Sequence, residues 1–416
     1  MNIHYISIGD ELLRGRIVNT NAQMLALKLR PAGFDLNQII TIGDEPETIV
    51  DTVRAELEKA DVLILTGGLG PTKDDMTKHT LAEMFGMKLE WHQPTVEYLE
   101  RRYAEFKRVL NDPTRRQALM PDGCTVLRNN HGTAPGMLFM QGEKMIFSLP
   151  GVPFEMGHLV DEQVLPRLID SSGQKQYFLQ HVLRVTDLPE SEAAERLQHI
   201  HDEFPPNMKL AYLPRKDGLW LEFQASGPVH AEEADTEIFN SFKGKIAAAV
   251  SECIYAEGVE DLPVILGKRL VEKGLSLATA ESLTAGILAG RIVEASGSSR
   301  YYKGGIVAYE TAQKTALLDV PEAIIEKHTV VSQAVVSAMA EGARKKLGAD
   351  IGLATTGFAE AEPGQSFPHA WIAVATPDKV HVRHVRLYGD RNHTRMRCAE
   401  MLMVLALKCL GGFDRD

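Results

Sequence analysis

Apolar and polar positions along the first 170 residues follow two alternating patterns. Short apolar runs at residues 3–8 and 61–66 predict buried strands, and residues 36–42 predict a third strand. Residues 19–29 and 45–59 place apolar side chains at helical spacing, which predicts a helix in each interval. This strand–helix order predicts a parallel sheet with right-handed crossovers.

The pattern changes twice further along the chain. Polar residues 170–174 predict a linker, and the following segment to about 256 predicts the order strand, helix, hairpin, helix, strand. From about residue 261, a new series of helices and strands begins. We therefore predict an α/β protein with three domains, namely an α/β domain at 1–170, a small α+β domain at 171–258 and an α/β domain at 259–416.

Composition narrows the class of protein. The chain has 416 residues, more than usually fold around one hydrophobic core. Its content of 44% apolar and 24% charged residues is typical of a soluble globular protein. No apolar run approaches the ~20 residues of a membrane span, so we expect no membrane contact. The first ten residues lack a basic leader, and we expect no signal peptide. Four cysteines without metal-site spacing predict a reducing, cytoplasmic location.

Charge narrows the choice of ligand. The net charge of −11 disfavours general nucleic-acid binding, and we expect no nucleic-acid partner. The middle domain is acidic and lacks a Gly-x-x-Gly loop, so packing or dimerisation is favoured there over RNA binding. Small anionic ligands remain compatible if backbone amides, a few basic side chains or a metal ion hold them.

A glycine-rich loop carries the first candidate site. Residues 66–75 read Thr-Gly-Gly-Leu-Gly-Pro-Thr-Lys-Asp-Asp and follow an apolar strand, where ligands bind in open α/β sheets. Glycines let backbone amides approach a phosphate. Asp74 and Asp75 would repel that phosphate unless a divalent cation intervenes, which predicts metal-assisted phosphate chemistry. The alternative is that an aspartate only caps the next helix.

Other loops are expected at the same sheet edge. Asp10 and Glu11 follow the first strand and are further candidates for metal or ribose contacts or for caps, and Asn21 lies where a helix begins. Two later turns, residues 132–136 and 149–155, either reach this edge or only turn the chain. The predicted front site comprises Asn21, Gly67, Gly68, Gly70 and Thr72 for substrate, with Asp10, Asp74 and Asp75 for metal.

Three motifs resemble one known family. Gly-Asp-Glu-Leu-Leu-Arg-Gly-x-Ile-Val-Asn-Thr-Asn, Gly-Gly-Leu-Gly-Pro-Thr-x-Asp-Asp and Leu-Pro-Gly-Val-Pro-x-Glu together resemble the N-terminal domain of the CinA family. That domain is similar to the molybdopterin-binding fold of Mog and MoaB, which implies a three-layer α/β domain. The resemblance also implies ADP-ribose pyrophosphatase activity that depends on a divalent ion such as Mg²⁺, Mn²⁺ or Co²⁺, and it implies a homodimer.

A serine and a lysine carry the second candidate site. Residues 281–286 read Glu-Ser-Leu-Thr-Ala-Gly after a predicted strand, so the Ser282 hydroxyl could face the amides of the next helix. Lys314 is a candidate base, because a desolvated lysine can lose its charge. The alternative is that Ser282 is an ordinary helix cap.

The order of motifs in this region resembles the C-terminal domain of the same family. Glu-Ser-x-Thr-x-Gly, Gly-Gly-x-Val-Ala-Tyr, a Lys five residues after that Tyr, and Thr-Gly follow in sequence. That domain is similar to nicotinamide mononucleotide deamidase, which releases ammonia from the carboxamide. The resemblance implies Ser282 as catalytic hydroxyl with Lys314 as its partner, Tyr309 and Thr356 in the pocket, and Arg391 or Arg395 on the phosphate.

Several residues depart from that family pattern. Leu283 and Ala285 replace Cys and Gly, and Glu310 begins a Glu-Thr-Ala run where the family has Ser-Asn-Glu. Residues 358–363 read Phe-Ala-Glu-Ala-Glu-Pro in place of a glycine-rich loop. Lost glycines limit backbone approach, and Glu360 with Glu362 adds negative charge. We therefore expect a diverged deamidase site with impaired nucleotide binding.

Together these features predict a CinA-like hydrolase. One alternative is a molybdopterin- or nucleotide-binding protein without turnover, although anion binding alone gains nothing from paired aspartates without a metal. Another alternative is that the rear domain is structural or regulatory.

Overall fold

The computed structural model describes residues 1–72, 75–172, 176–361 and 364–411. Its contacts divide the chain into two compact units, the first formed by Met1–Leu179 with Ser226–Thr236 and the second by the remainder. The two boundaries between the three domains expected from sequence stay predictions. No helix in the described ranges combines the length and apolarity that crossing a membrane requires.

The first unit alternates strands and helices. Its strands are β1 (Ile3–Ile8), β2 (Leu36–Ile42), β3 (Val62–Thr66), β4 (Leu89–Trp91), β5 (Leu119–Pro121), β6 (Thr125–Leu127), β7 (Gly136–Gln141) and β8 (Lys144–Leu149). Its helices are α1 (Asp10–Leu13), α2 (Thr20–Leu29), α3 (Pro46–Leu57), α4 (Thr77–Met84), α5 (Gln93–Glu105), α6 (Asp112–Arg115), α7 (Pro153–Leu159) and α8 (Leu165–Ser171). A π-helical turn, Val160–Val164, joins the last two helices.

Helices cover both faces of the main sheet of this unit. The strand order is β2-β1-β3-β8-β7-β6, parallel from β2 to β8 and antiparallel beyond it. Val62 and Ile64 pack with residues of α2 and α7, whereas Leu63 and Leu65 pack with residues of α3 and α4 on the opposite face. The predicted three-layer α/β architecture is confirmed.

Pairing register aligns the ends of three strands. Ser7 of β1 lies beside Thr66 of β3, and Thr66 lies beside Leu149 of β8. Because these strands are parallel, the residues that follow each of them meet at one edge.

The second unit begins within β9 and first forms a small α+β layer. The layer contains β9 (Gln176–Val185), α9 (Glu190–His201), β10 (Met208–Arg215), β11 (Gly218–Pro228), α10 (Glu232–Ala249) and β12 (Ile254–Glu257). The start of β9, the end of β11 and the start of α10 are counted with the first unit. The predicted order of strand, helix, hairpin, helix and strand is confirmed, and the sheet order is β10-β11-β9-β12.

The rest of the second unit is a five-stranded α/β layer. Its strands are β13 (Leu277–Glu281), β14 (Tyr302–Val307), β15 (Ile351–Gly357), β16 (His369–Ala375) and β17 (Val380–Arg386). Its helices are α11 (Leu262–Glu272), α12 (Ile287–Val293), α13 (Thr311–Leu318), α14 (Glu322–His328), α15 (Gln333–Lys346) and α16 (Arg391–Cys409). The strand order is β14-β13-β15-β16-β17, parallel across the first three strands and antiparallel beyond them.

The central parallel strand of this layer positions the second candidate site. Glu281, the last residue of β13, pairs with Val307 of β14 and Thr355 of β15. The loops that follow β13 and β14 therefore leave the sheet beside the last residues of β15.

Candidate active sites

A cavity of about 510 Å³ lies at the carboxyl edge of the first sheet. It is lined by the loop after β1, the glycine-rich loop after β3 and the turn after β8. Six of the residues predicted from sequence line it: Asn21, Gly67, Gly68, Gly70, Thr72 and Asp75.

Two positions of the glycine-rich loop require glycine. Gly67 has φ of 108°, and a Cβ there would lie 2.2 Å from the carbonyl oxygen of Ile8. Gly68 has φ of 67°, and a Cβ there would lie 2.1 Å from Thr77 Oγ1. The loop therefore turns sharply against the neighbouring segments and brings bare backbone to the cavity.

The three predicted metal ligands have different environments. Asp75 faces the cavity, and its Oδ2 accepts hydrogen bonds from the Thr72 amide at 2.8 Å and from Thr72 Oγ1 at 2.5 Å, so it also holds the loop in shape. Asp10 forms an ion pair with Arg14 and lines a neighbouring cleft. Asp74 lies outside the described residues.

Glu11, Asp44, Gln117 and Glu155 also line the cavity. Glu155 accepts a hydrogen bond from Asn129 Nδ2 at 2.6 Å, and a Cβ at Gly132 would lie 1.8 Å from its Oε2. Glu11 and Glu155 stand in the motifs that carry the family resemblance, and Asp44 follows the end of β2, so these signals were present in the sequence. Gln117 had no comparable signal.

Two amide side chains present unused acceptors at this site. Asn21 Nδ2 donates to the Gly151 carbonyl oxygen at 2.8 Å, and Gln117 Nε2 donates to the Leu69 carbonyl oxygen at 3.3 Å. Oδ1 of Asn21 and Oε1 of Gln117 are buried and find no partner within the described ranges. A buried acceptor without a partner costs roughly 1–3 kcal/mol. A ligand hydroxyl that donated a hydrogen bond to either oxygen would remove this cost.

The charged side chains in the described lining of the cavity are all acidic. Four carboxylates line it, from Glu11, Asp44, Asp75 and Glu155, and its lining within the described chain contains no lysine, arginine or histidine. An anionic ligand alone would be repelled by this surface. Carboxylate oxygens together with phosphate oxygens are the ligands that a hard divalent cation takes, so this donor set fits such an ion.

A buried cation supports the cavity from behind. Lys78 Nζ donates to the carbonyl oxygens of Arg116 and Gln117 at 3.2 and 3.3 Å. Burial lowers the pKa of Lys78 to about 8, against an opposing effect of the Asp75 carboxylate. Lys78 therefore helps to hold Gln117 at the wall.

Ser282 and Lys314 come together at the carboxyl edge of the rear sheet. The Lys314 ammonium lies 3.1 Å from Ser282 Oγ, and it also donates to the carbonyl oxygens of Ala308 at 2.9 Å and Tyr309 at 3.3 Å. Lys314 is 1% exposed and Ser282 is 8% exposed. The contact joins the end of β13 to α13, which are 32 residues apart in sequence.

The environment of this lysine favours its neutral form. Burial lowers the pKa of Lys314 from the ordinary 10.5, because the charged ammonium loses hydration. A neutral amine at hydrogen-bond distance can accept the serine proton, which makes the hydroxyl a nucleophile.

Glu281 shapes the loop that holds the serine. Its carboxylate is 1% exposed and accepts hydrogen bonds from the backbone amides of Gly286, Leu288 and Ala289 at 2.8, 3.0 and 2.8 Å. Glu281 thus caps the first amides of α12, so the Ser282 hydroxyl is not needed as a helix cap. A charged residue at the end of an apolar strand was the sequence signal for this role.

Ala285 occupies a backbone conformation that favours glycine. Its φ is 46°, in the left-handed region, which costs a non-glycine residue roughly 1–2 kcal/mol. Alanine in place of the family's glycine therefore keeps the conformation of the loop but adds backbone strain.

Arg391 and Tyr309 meet at the rim of this site. Arg391 Nη2 donates to the Tyr309 hydroxyl at 3.2 Å, and Nη1 donates to Glu360 Oε1 at 3.3 Å. Tyr309 is 61% exposed. The acidic Glu360 is thus paired with the arginine expected to hold a phosphate, and Glu362 lies outside the described residues.

Thr356 and Arg395 are engaged within the fold. Thr356 is buried, and its Oγ1 donates to the Val330 carbonyl oxygen at 3.0 Å. Arg395 donates to the carbonyl oxygens of Leu283 and Thr284 at 3.2 and 3.0 Å, so it supports the serine loop.

Family models match both ends of the chain. Residues 4–170 match the model described as "Probable molybdopterin binding domain", and residues 259–410 match "CinA C-terminal domain". A solved structure of the protein CinA from Thermoplasma acidophilum is 33% identical, with a TM-score of 0.37 over 40% of this chain and 97% of that chain.

Curated relatives match almost the whole length. A CinA-like protein of Flavobacterium psychrophilum is 38% identical over 385 residues, or 91% of each chain. A CinA-like protein of Cytophaga hutchinsonii is 35% identical over 410 residues, or 97% of each chain. The resemblance expected from the motifs is confirmed, and the chain belongs to the CinA family, with a Mog/MoaB-like domain in front and a CinA C-terminal domain behind.

Proposed function

We propose that this protein is a hydrolase whose front cavity cleaves the pyrophosphate bond of ADP-ribose to AMP and ribose 5-phosphate with a divalent metal ion. The supporting observation is the cavity lined by four carboxylates and no basic side chain within the described residues. A protein that only bound a pterin or nucleotide would gain nothing from those carboxylates.

Each wall of the cavity has a role in this reaction. A divalent ion such as Mg²⁺, Mn²⁺ or Co²⁺, held by carboxylates including Asp75, would neutralise the pyrophosphate charge. The backbone at Gly67 and Gly68 leaves room for phosphate oxygens, and the free acceptors of Asn21 and Gln117 suit ribose hydroxyls. Water adds across the P–O–P bridge, and a carboxylate accepts its proton.

For the rear site we infer amide hydrolysis by Ser282 and Lys314. The supporting observation is the 3.1 Å contact of a buried lysine with the serine hydroxyl. Ser282 Oγ would attack the carboxamide carbon of nicotinamide mononucleotide while Lys314 takes its proton and passes it to the departing ammonia. Water would then release nicotinate mononucleotide and restore the serine.

Substrate binding is proposed to limit the rear reaction. A nucleotide phosphate would have to compete with Glu360 for Arg391, since those side chains are paired. Deamidation would therefore be weak or absent in the unaltered protein. A rear domain with only a structural or regulatory role would also show little deamidation.

Location and ligand class complete the proposal. All four cysteines are free thiols, which suits a reducing cytoplasm. The net charge of −11 favours small nucleotides over nucleic acid as partners.

The front reaction is tested with Asp75→Asn. An asparagine keeps a carbonyl acceptor for Thr72 but removes the charge, so ADP-ribose turnover should fall at least about tenfold with little loss of thermal stability. AMP release is measured with and without EDTA. Asp51→Asn, at an exposed site on α3, should leave turnover unchanged, and turnover that survives both Asp75→Asn and EDTA would contradict the assignment.

The rear binding limit is tested with Glu360→Gly. Loss of the competing carboxylate should free Arg391 and lower KM for nicotinamide mononucleotide by about tenfold, equivalent to ~1.4 kcal/mol. Glu143→Gly, at an exposed turn elsewhere, serves as the matched control, and Ser282→Ala in the Glu360→Gly background should abolish ammonia release. Efficient deamidation with low KM in the unaltered protein would refute this account.

The base is tested through pH in the Glu360→Gly background. Because the proposed base acts in its neutral form and burial lowers its pKa, kcat/KM should rise with pH and level off below pH 10.5. Lys314→Met should lower kcat by about 10²–10⁴-fold and remove this rise. An unchanged profile in Lys314→Met would show that another group is the base.

Assembly is tested by light scattering. The family resemblance leads us to expect a homodimer, with about twice the mass of the 46.0 kDa chain. A monomer at micromolar concentration would contradict this expectation.

A further inference from the structure

A mixed imidazole–carboxylate cluster lies on the first unit, apart from the residues that line the front cavity. His131 comes from the turn between β6 and β7, His158 from α7 and Glu162 from the π-helical turn that follows. One ligand atom of each lies within 4.8 Å of those of the other two. Both histidines are half-buried, and the glutamate is exposed.

We propose that His131, His158 and Glu162 bind a divalent transition-metal ion of the zinc, cobalt or nickel class. Two imidazoles with one carboxylate are a donor set that such ions prefer. Magnesium and calcium instead take oxygen ligands, which the front cavity offers. The two sites therefore differ in chemistry as well as in residues.

One ligand separation already suits a tetrahedral site, and the histidine rings must reorient to complete it. His131 Nε2 lies 3.4 Å from Glu162 Oε1, close to the ligand separation of about 3.4 Å that bonds of about 2.0–2.1 Å impose. The rings of His131 and His158 are stacked, with centroids 3.6 Å apart and planes at 12°. The His158 ring must turn to direct a nitrogen at the shared point, since an ion lies near the plane of each imidazole that binds it.

Hydrogen bonds to its backbone hold the turn that carries His131. The His131 amide donates to Asn129 Oδ1 at 3.0 Å. Arg102 donates to the carbonyl oxygens of Asn130 and His131 at 3.3 and 3.2 Å. This turn is therefore fixed before any ion binds, which lowers the ordering cost of binding.

Neighbouring side chains orient the other ligands. Asn130 Nδ2 donates to Glu162 Oε2 at 3.4 Å, which leaves Oε1 directed at His131. Phe154 lies edge-on to both imidazoles and forms an apolar wall. Its ring centroid is 5.6 Å from that of His131 and 4.7 Å from that of His158. Such outer partners tune affinity at metal sites.

Occupancy of this site would stiffen one wall of the front cavity. His131 adjoins Gly132, which packs on Glu155, and Thr133 lines the cavity. His158 lies three residues after Glu155, on the same face of α7. An ion that joins His131 to His158 thus ties the turn to the helix beside a cavity carboxylate.

Cobalt absorbance tests the site on the full-length protein after removal of metals with EDTA and dialysis. Co²⁺ should give visible d–d bands that saturate at one ion per chain for this site, that Zn²⁺ abolishes and that excess Mg²⁺ leaves in place. His158→Gln should weaken Co²⁺ affinity at least about tenfold. His199→Gln, at an exposed position on α9, is the matched control and should keep the spectrum.

Two further variants separate this site from the front cavity. Glu162→Gln should also weaken the cobalt bands, whereas Asp75→Asn should leave them unchanged. Bands that vanish in Asp75→Asn but persist in His158→Gln would overturn the proposal by placing the ion among the cavity carboxylates. Absence of cobalt bands at millimolar Co²⁺, in a protein shown by circular dichroism to be folded, would overturn it as well.

Discussion

Apolar layers on both faces of the front and rear α/β sheets are the constraint on which the rest of this structure depends. In the first unit, alternate residues of β3 enter opposite cores, and the rear sheet is covered on both faces in the same way. Neither face can accept an unpaired polar group without a cost of several kcal/mol. Both candidate active sites accordingly lie at the strand ends, where parallel pairing brings distant loops together.

The two strand-end sites solve opposite electrostatic problems. The front cavity gathers carboxylates without a basic side chain in its described lining, so its surface repels a bare anion. The rear site buries one amine, Lys314, against a hydroxyl and two carbonyl oxygens. Burial lowers the pKa of Lys314, which favours the neutral amine that can act as a base.

Departures from the family pattern have unequal structural consequences. Ala285 keeps the left-handed turn that a glycine would adopt without strain, so the serine loop retains its geometry. Glu360 changes the electrostatics of the rim, because it pairs with Arg391. The contact between Lys314 and Ser282 is thus kept, while Arg391 is paired with a carboxylate. Local backbone shape and long-range charge are independent, which allows chemistry and binding to diverge separately.

The sequence by itself determined the elements, the alternation that predicts parallel sheets, the glycine loop, the Ser282 and Lys314 pair as candidates, and the family. These depend on local periodicity, turn chemistry and motif spacing, which neighbouring residues settle. Only the tertiary structure decided that Asp44 and Gln117 face the cavity that Asp75 lines, and that Lys314 reaches Ser282. Side-chain direction at a strand end depends on which loops the sheet brings beside it, and those loops lie tens of residues away in sequence.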